Sequence, residues 1–380
     1  MVFDAIPDAF PIAYTTSTQF YNWYFDPADL ASHRQNCNST ARKQLAERLA
    51  HVDVGAEKPV DDPDELAVGL DADEELLIVK RYIFLMRALF EKFVHPSLPE
   101  EVFGFAVTYF KRFYLNHSVM DFYPREMMLT CLYVACKAAD FPVGLQAFIA
   151  HIPRNQERYS HFIINSELFL LESLNYDLWV FTPYRPLMGL IIDLVAYQKH
   201  IRNSDLKTYF GLSDTELVTE LRREGTELIN LWYQTDLCLT VHPSQFALAV
   251  LVELGRTRPC LQVEVFIRDE VCGCDPVQKF KYSSPMSQES ESDDGANPPA
   301  PKTSVKSSSS PTMEDRWKQV SSRLDYIRDI VGHFDFVVSL EPLGDEEMKL
   351  EQCRNPLYNL DSEEYAGAKS RAESLLAVLE

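Results

Sequence analysis

A proline followed by an apolar stripe at helical spacing occurs twice in this chain. No other feature constrains the fold as much. The first copy starts at Pro124, after which Met128, Leu129, Leu132, Ala135 and Cys136 recur with a helical period. Proline suits a first helical turn, where its missing N–H is no loss. Thr130, Cys131, Ala135, Cys136, Ala138 and Ala139 are small enough to let other helices approach closely, which predicts a central helix packed on several sides. The second copy starts at Pro243 and carries Phe246, Leu248, Ala249, Leu251, Val252 and Leu254. Superposing Pro243 on Pro124 puts Leu248 on Leu129, Leu251 on Leu132 and Arg256 on Lys137. A weak internal repeat of this kind predicts an all-α chain of two tandem five-helix units.

The remaining helices follow from period and punctuation. Residues 1–25 are aromatic and Ser/Thr-rich without a clear period. Asp26 then reads as an N-cap, with Pro27 at the first helical position and a helix over about 27–50. Residues 51–74 are acidic and contain proline, and read as a linker closing an N-terminal extension over 1–74. The first unit is expected over 75–178. Leu77, Tyr82, Leu85, Leu89 and Phe93 mark its first helix, and Leu98-Pro99 opens the second, with Phe103, Val107, Phe110 and Tyr114. A short helix over 143–152 follows the central one. A fifth, over 156–175, places Ile164, Leu168 and Leu171 on one apolar face with Glu167 beside it.

The second unit is expected over 179–333, with helices from Pro183, over 217–236, from Pro243, over 261–270 and over 313–331. It is interrupted at 275–312 by a Ser-, Pro- and Asp-rich insert with almost nothing to bury. Such a segment cannot offset its ordering entropy and is expected to be disordered. The C-terminal extension, 334–380, holds two helical segments, EEMKLEQCR and one from about Glu363.

Charge and composition narrow the function. The net charge of −21 argues against a partner that needs a basic stripe, such as duplex DNA, and against an anionic membrane surface. No apolar run reaches membrane-spanning length. Acidic Asp4 and Asp8 replace the basic start of a signal peptide. The eight cysteines include no CxxC pair, so a reduced intracellular protein without a structural metal is expected. The run Asp61-Asp62-Pro63-Asp64-Glu65 superficially resembles the aspartate-rich metal motif of isoprenoid synthases. Pro63 and the lack of a helical frame instead favour a solvated acid run. There is no phosphate-binding glycine loop, no GxSxG, no HExxH and no kinase catalytic-loop set, so neither a cofactor nor an enzyme activity is expected.

The stretch YFKRFYLNHSVMDFYPREMMLTCLYVACK, residues 109–137, resembles the middle of a cyclin box. The segment FTPYRPLMGLIIDL, residues 181–194, resembles the junction between two such boxes, most narrowly in the cyclin H branch of the family. The likeness is strong over about 75–200, fair over 200–270 and 313–354, and weak elsewhere. It implies two cyclin boxes with flanking N- and C-terminal helices. It further implies a non-catalytic, nuclear subunit that binds and activates a cyclin-dependent kinase. In the cyclin H branch that partner is the catalytic subunit of the CDK-activating kinase, joined by a third assembly-factor subunit and general transcription factor IIH. Transcription and cell-cycle control are the implied settings. The family's groove lysine falls on Lys137 and its paired glutamate on Glu167, within ELFLLESLNYDL. Phe110, Lys111 and Phe141 join them as implied kinase contacts.

By its residues alone, Lys137 reads first as a solvated lysine favoured by the end of a helix dipole. The sequence also departs from the family: KxEE is here Lys137-Ala138-Ala139-Asp140, and the substrate-docking MRAIL motif is out of register at Met86-Arg87-Ala88-Leu89. A C- or T-type transcriptional cyclin, or a DNA-binding general transcription factor with cyclin-like repeats, remains open at this point.

Overall fold

A computed structural model describes residues 14–52, 69–202, 211–273, 312–336, 344–359 and 362–379. Most of the acidic linker and nearly all of the 275–312 insert lie outside the described residues. Among the described residues there is no strand, only an isolated bridge between Val94 and Ser97.

The first five-helix bundle comprises α3 (Ala72–Phe90), α4 (Glu100–Asn116), α5 (Pro124–Ala138), α6 (Leu145–Ile149) and α7 (Gln156–Ser173). The central helix is α5, buried without a break from Met127 to Cys136. It packs most extensively on α4 and α7 and also on α3. Its small residues make this possible: the Thr130 hydroxyl meets the Ser166 hydroxyl of α7 at 3.0 Å. α4 is enclosed as completely, with every residue from Val102 to Leu115 buried. The linker expectation overruns the start of α3. Asp71 caps that helix, its carboxylate accepting from the N–H groups of Asp73 (2.9 Å) and Glu74 (2.8 Å), while Glu74 accepts from the Asp71 N–H. This is a capping box, which satisfies donors that a helix start leaves unpaired.

The second bundle comprises α8 (Tyr184–Arg202), α9 (Asp214–Trp232), the single turn α10 (Leu237–Thr240), α11 (Pro243–Thr257), α12 (Val263–Phe266) and α13 (Met313–His333). Here α11 takes the central place, against α8, α9 and α13. Thr312, assigned to the insert, instead caps α13: its hydroxyl accepts from the Asp315 N–H at 3.2 Å. The flanking helices are α1 (Thr18–Trp23), α2 (Pro27–Val52), α14 (Asp345–Cys353) and α15 (Glu363–Leu379). α1 has no counterpart in the sequence reading. It is one short turn capped by Ser17, and Asn22 and Trp23 both donate to Asp177, at 2.8 and 2.9 Å.

Helix α2 spans both bundles. Arg34 makes two 2.8 Å hydrogen bonds to Asp236, just before α10, and Asn38 donates to Glu75 of α3 at 3.1 Å.

Candidate functional site

Lys137 ends α5, and local backbone geometry fixes where it points. Beyond it the helix closes in a Schellman motif: the Phe141 N–H reaches the Cys136 carbonyl at 2.9 Å and the Asp140 N–H reaches the Lys137 carbonyl at 3.2 Å. Asp140 supplies the left-handed residue that this motif needs, at φ 56°, where glycine is more usual. Phe141 follows, half-buried against the first core.

From that end Lys137 crosses to α7. Its Nζ donates to Glu167 Oε1 at 2.6 Å and Oε2 at 2.8 Å, and it lies 4.5 Å from the centre of the Tyr133 ring. Partial burial pulls the ammonium pKa down, but Glu167 and Tyr133 more than offset this and raise it. The side chains remain 41% and 27% exposed, so both charges are available at the surface.

The surroundings of Glu167 are apolar and unpartnered. Ile164 is 59% and Leu168 65% exposed, and with Glu167 and half-buried Leu171 they follow helical spacing along one face. α7 uses a different stripe, Tyr159, Ile163, Ser166 and Leu170, to pack inward. The apolar face read from the sequence therefore points to solvent. Period alone cannot say which way such a face turns, and the available signal was the glutamate set within it.

The other two implied contacts are set apart by burial. Phe110 is fully buried within the first core. Lys111 is also buried, its Nζ donating to Asp236 Oδ1 at 3.2 Å, to the Gln234 carbonyl at 3.3 Å and to the Thr235 carbonyl. Both belong to α4, which has no outer face to offer, and Lys111 ties the two bundles together. The structure thus brings Lys137 and Glu167 together, leaves Phe141 at the base of the same helix end, and places Phe110 and Lys111 inside.

Among the described residues no group of His, Cys, Asp and Glu is arranged to hold a metal, and no helix is long and apolar enough to cross a membrane. A groove of about 780 Å³ lies elsewhere, between α2, the α4–α5 turn and the segment after α14.

Residues 70–179 match the family described as cyclin, N-terminal domain. A probable cyclin-H of Echinococcus multilocularis is 48% identical over 371 residues, which cover 97% of this chain and 100% of that protein. The chain belongs to the cyclin H family. Cyclin-H of Xenopus laevis is 32% identical over 264 residues, 67% of this chain and 72% of its own length. In fold, the chain is similar to one chain in the structure of the CAK complex from Chaetomium thermophilum bound to ATP-gamma-S. That match has a TM-score of 0.63 at 23% identity and covers 95% and 94% of the two chains. Membership of the cyclin H family replaces the C-type, T-type and DNA-binding alternatives.

Proposed function

We propose that Lys137, Glu167, Ile164 and Leu168 form the surface by which this cyclin H family member grips the small lobe of a cyclin-dependent kinase. The chain is a cyclin, a regulatory subunit that activates such a kinase in transcription. The kinase in this proposal is the catalytic subunit of the CDK-activating kinase. A third assembly-factor subunit and general transcription factor IIH complete the complex, in the nucleus, acting on transcription by RNA polymerase II and on the cell cycle. The chain supplies no catalytic group of its own.

The mechanism is a population shift. Phosphoryl transfer needs the kinase's strand lysine paired with the glutamate of its αC helix. A partner that binds only the inward position of αC raises its population by its differential affinity. Ile164 and Leu168 offer apolar area to the αC side, worth about 1.5–3 kcal/mol for each side chain fully buried. Lys137 is a donor only and Glu167 an acceptor only, so together they suit both N–H and C=O groups of a kinase backbone.

The outward-facing stripe around the Lys137–Glu167 pair carries this conclusion, because large contiguous apolar groups on a surface mark docking sites. The test is activation of the purified kinase by wild type and by an Ile164→Asp, Leu168→Asp double variant. The variant is expected to melt near the wild-type temperature and fail to activate. Full activation would move the interface elsewhere.

A further inference from the structure

Glu126 stands in the first turn of α5 with its side chain only 2% exposed. Buried carboxylates need partners, and two arginines from distant parts of the chain share this one. Arg158, in the first turn of α7, donates to Oε1 at 2.7 Å. Arg354, just past α14, donates to Oε1 at 3.1 Å and Oε2 at 3.2 Å and lies 4.3 Å over the Tyr123 ring. Burial pushes the Glu126 carboxyl up, and the two arginines offset part of this.

The same C-terminal segment reaches α7 by a second route. The Tyr358 ring lies 4.5 Å from Phe122, and Phe122 stacks at 5.0 Å on Phe169 of α7. Between the two routes Asn355 is pinned, its N–H donating to the Met120 carbonyl at 2.8 Å and its side-chain amide to Asp121 at 2.7 Å. Lys349 adds an ion pair with Glu74 of α3. α7 is therefore held near its start through Glu126 and near its end through Phe122, and one segment braces both intermediaries.

We propose that residues 345–358 form a clasp that positions α7, and that Arg354 is a positioning residue for kinase binding. It acts through Glu126 and Arg158, without itself forming part of the outer face of α7. Removing it leaves a buried carboxylate with one cation. Arg158 must then move toward Glu126 or water must enter, and either change displaces the first turn of a rigid helix whose outer stripe begins at Ile164.

This proposal rests on the interface reading above, so its experiment has an arm independent of the kinase. Amide hydrogen exchange is followed across residues 156–173 of the full free chain in wild type, Arg354→Ala and Tyr358→Ala. Exchange in α7 should accelerate in both variants, roughly 2- to 30-fold for Arg354→Ala, with α9 and α11 unchanged. Unaltered α7 exchange in both variants overturns the clasp.

The second arm measures kinase affinity for Arg354→Ala, Leu168→Ala and the double variant. Arg354→Ala should weaken binding by a similar factor, and by less when Leu168 is already Ala, because both act through one helix. A merely stabilising contact would lower the melting temperature without that coupling. Faster α7 exchange with unchanged affinity overturns the positioning role if Lys137→Glu abolishes binding. If Lys137→Glu also binds normally, the interface reading has failed, and the exchange data still decide the clasp.

Discussion

The outer helix of the first bundle, α7, turns Ile164 and Leu168 to solvent beside a cross-helix ion pair, whereas its counterpart in the second bundle, α13, packs Leu324 and Ile327 inward. The central helices differ in the same way. Lys137 at the end of α5 reaches across to α7. Arg256, its equivalent at the end of α11, bonds Glu253 within its own helix at 3.1 Å. Both bundles thus use one packing frame, a proline-started central helix enclosed by others. In the first, Ile164 and Leu168 form an outward apolar face with the Lys137–Glu167 pair set in it. The frame explains why the sequence repeats, and the outer face of the first bundle is where the proposed partner surface lies.

Charge reversal tests that difference most severely. Lys137→Glu places a second negative charge beside Glu167 and removes a donor, and should cost about 2–5 kcal/mol of kinase binding, roughly thirty-fold or more in affinity. Arg256→Glu disturbs only an exposed pair within one helix and should leave binding unchanged and stability within about 0.5 kcal/mol. Calorimetric titration of kinase into both variants measures this. Equal losses would mean that the two helix ends are not functionally distinct.

A leucine pair gives the next largest contrast. Leu324→Ala, in the second core, should destabilise the chain by about 2–4 kcal/mol in urea while sparing the kinase affinity of folded protein. Leu168→Ala should do the reverse. Its stability should change by less than about 0.5 kcal/mol, and kinase binding should weaken by roughly 1–2 kcal/mol. A Leu168→Ala chain that unfolded early would show that its side chain is core, contrary to its exposure.

Much of this was legible from residues alone, and the exceptions have physical reasons. Pro124 and Pro243 announce the two central helices, because proline fits a first turn and little else in a helix. Helix α1 is a single capped turn, too short for a period to develop. The Asp71–Glu74 capping box sits within the acidic run and was hidden by it. The burial of Phe110 and Lys111 was not legible because α4 is enclosed on every side, and a lysine that hydrogen-bonds two carbonyls and an aspartate looks in sequence like any surface lysine. The Lys137–Glu167 meeting joins residues on different helices. Resemblance to the cyclins pointed to it, while spacing on either helix could not.

The bundles also differ in how they hold α2, and pH separates the two anchors. In the first bundle Glu75 accepts from Ser118 Oγ at 2.5 Å and Asn38 Nδ2 at 3.1 Å. Burial outweighs these neutral donors and pushes its carboxyl up to about 7, from an ordinary 4.5. At the second, burial of Asp236 is more than offset by Lys111 and Arg34, which hold it well below the usual carboxylate range. Between about pH 4.5 and 7 the folded chain keeps a proton on Glu75 that the unfolded chain has lost, so this group's contribution to stability falls as pH rises through that window. The Asp236 contribution is fully present above its unfolded value and gives no slope there. Relative to wild type, Glu75→Gln should gain on the order of 2 kcal/mol between pH 5 and pH 8. Urea midpoints at unit pH steps would show it, and parallel profiles for the two proteins would remove Glu75 as the proton-sensitive anchor.

The smallest effect is expected where the second bundle departs most from the first in sequence, at the Ser- and Pro-rich insert. Its two ends do not need it to find each other. Before the insert the Cys272 carbonyl accepts from Arg316 of α13 at 3.4 Å, and Arg268 pairs with Glu314 of α13 at 3.2 Å. α13 carries its own capping box at Thr312 and its own buried residues, Leu324 and Ile327. Loop-closure entropy grows only with the logarithm of length, so replacing residues 283–311 with a short flexible linker should stabilise the chain by about 1 kcal/mol or less. Kinase activation should be unchanged, since the proposed interface is confined to the first bundle. Urea unfolding together with a kinase activation curve provides the measurement. A deletion that unfolds the chain would show the insert to be part of the second core, and one that abolishes activation without unfolding would extend the partner surface beyond the first bundle.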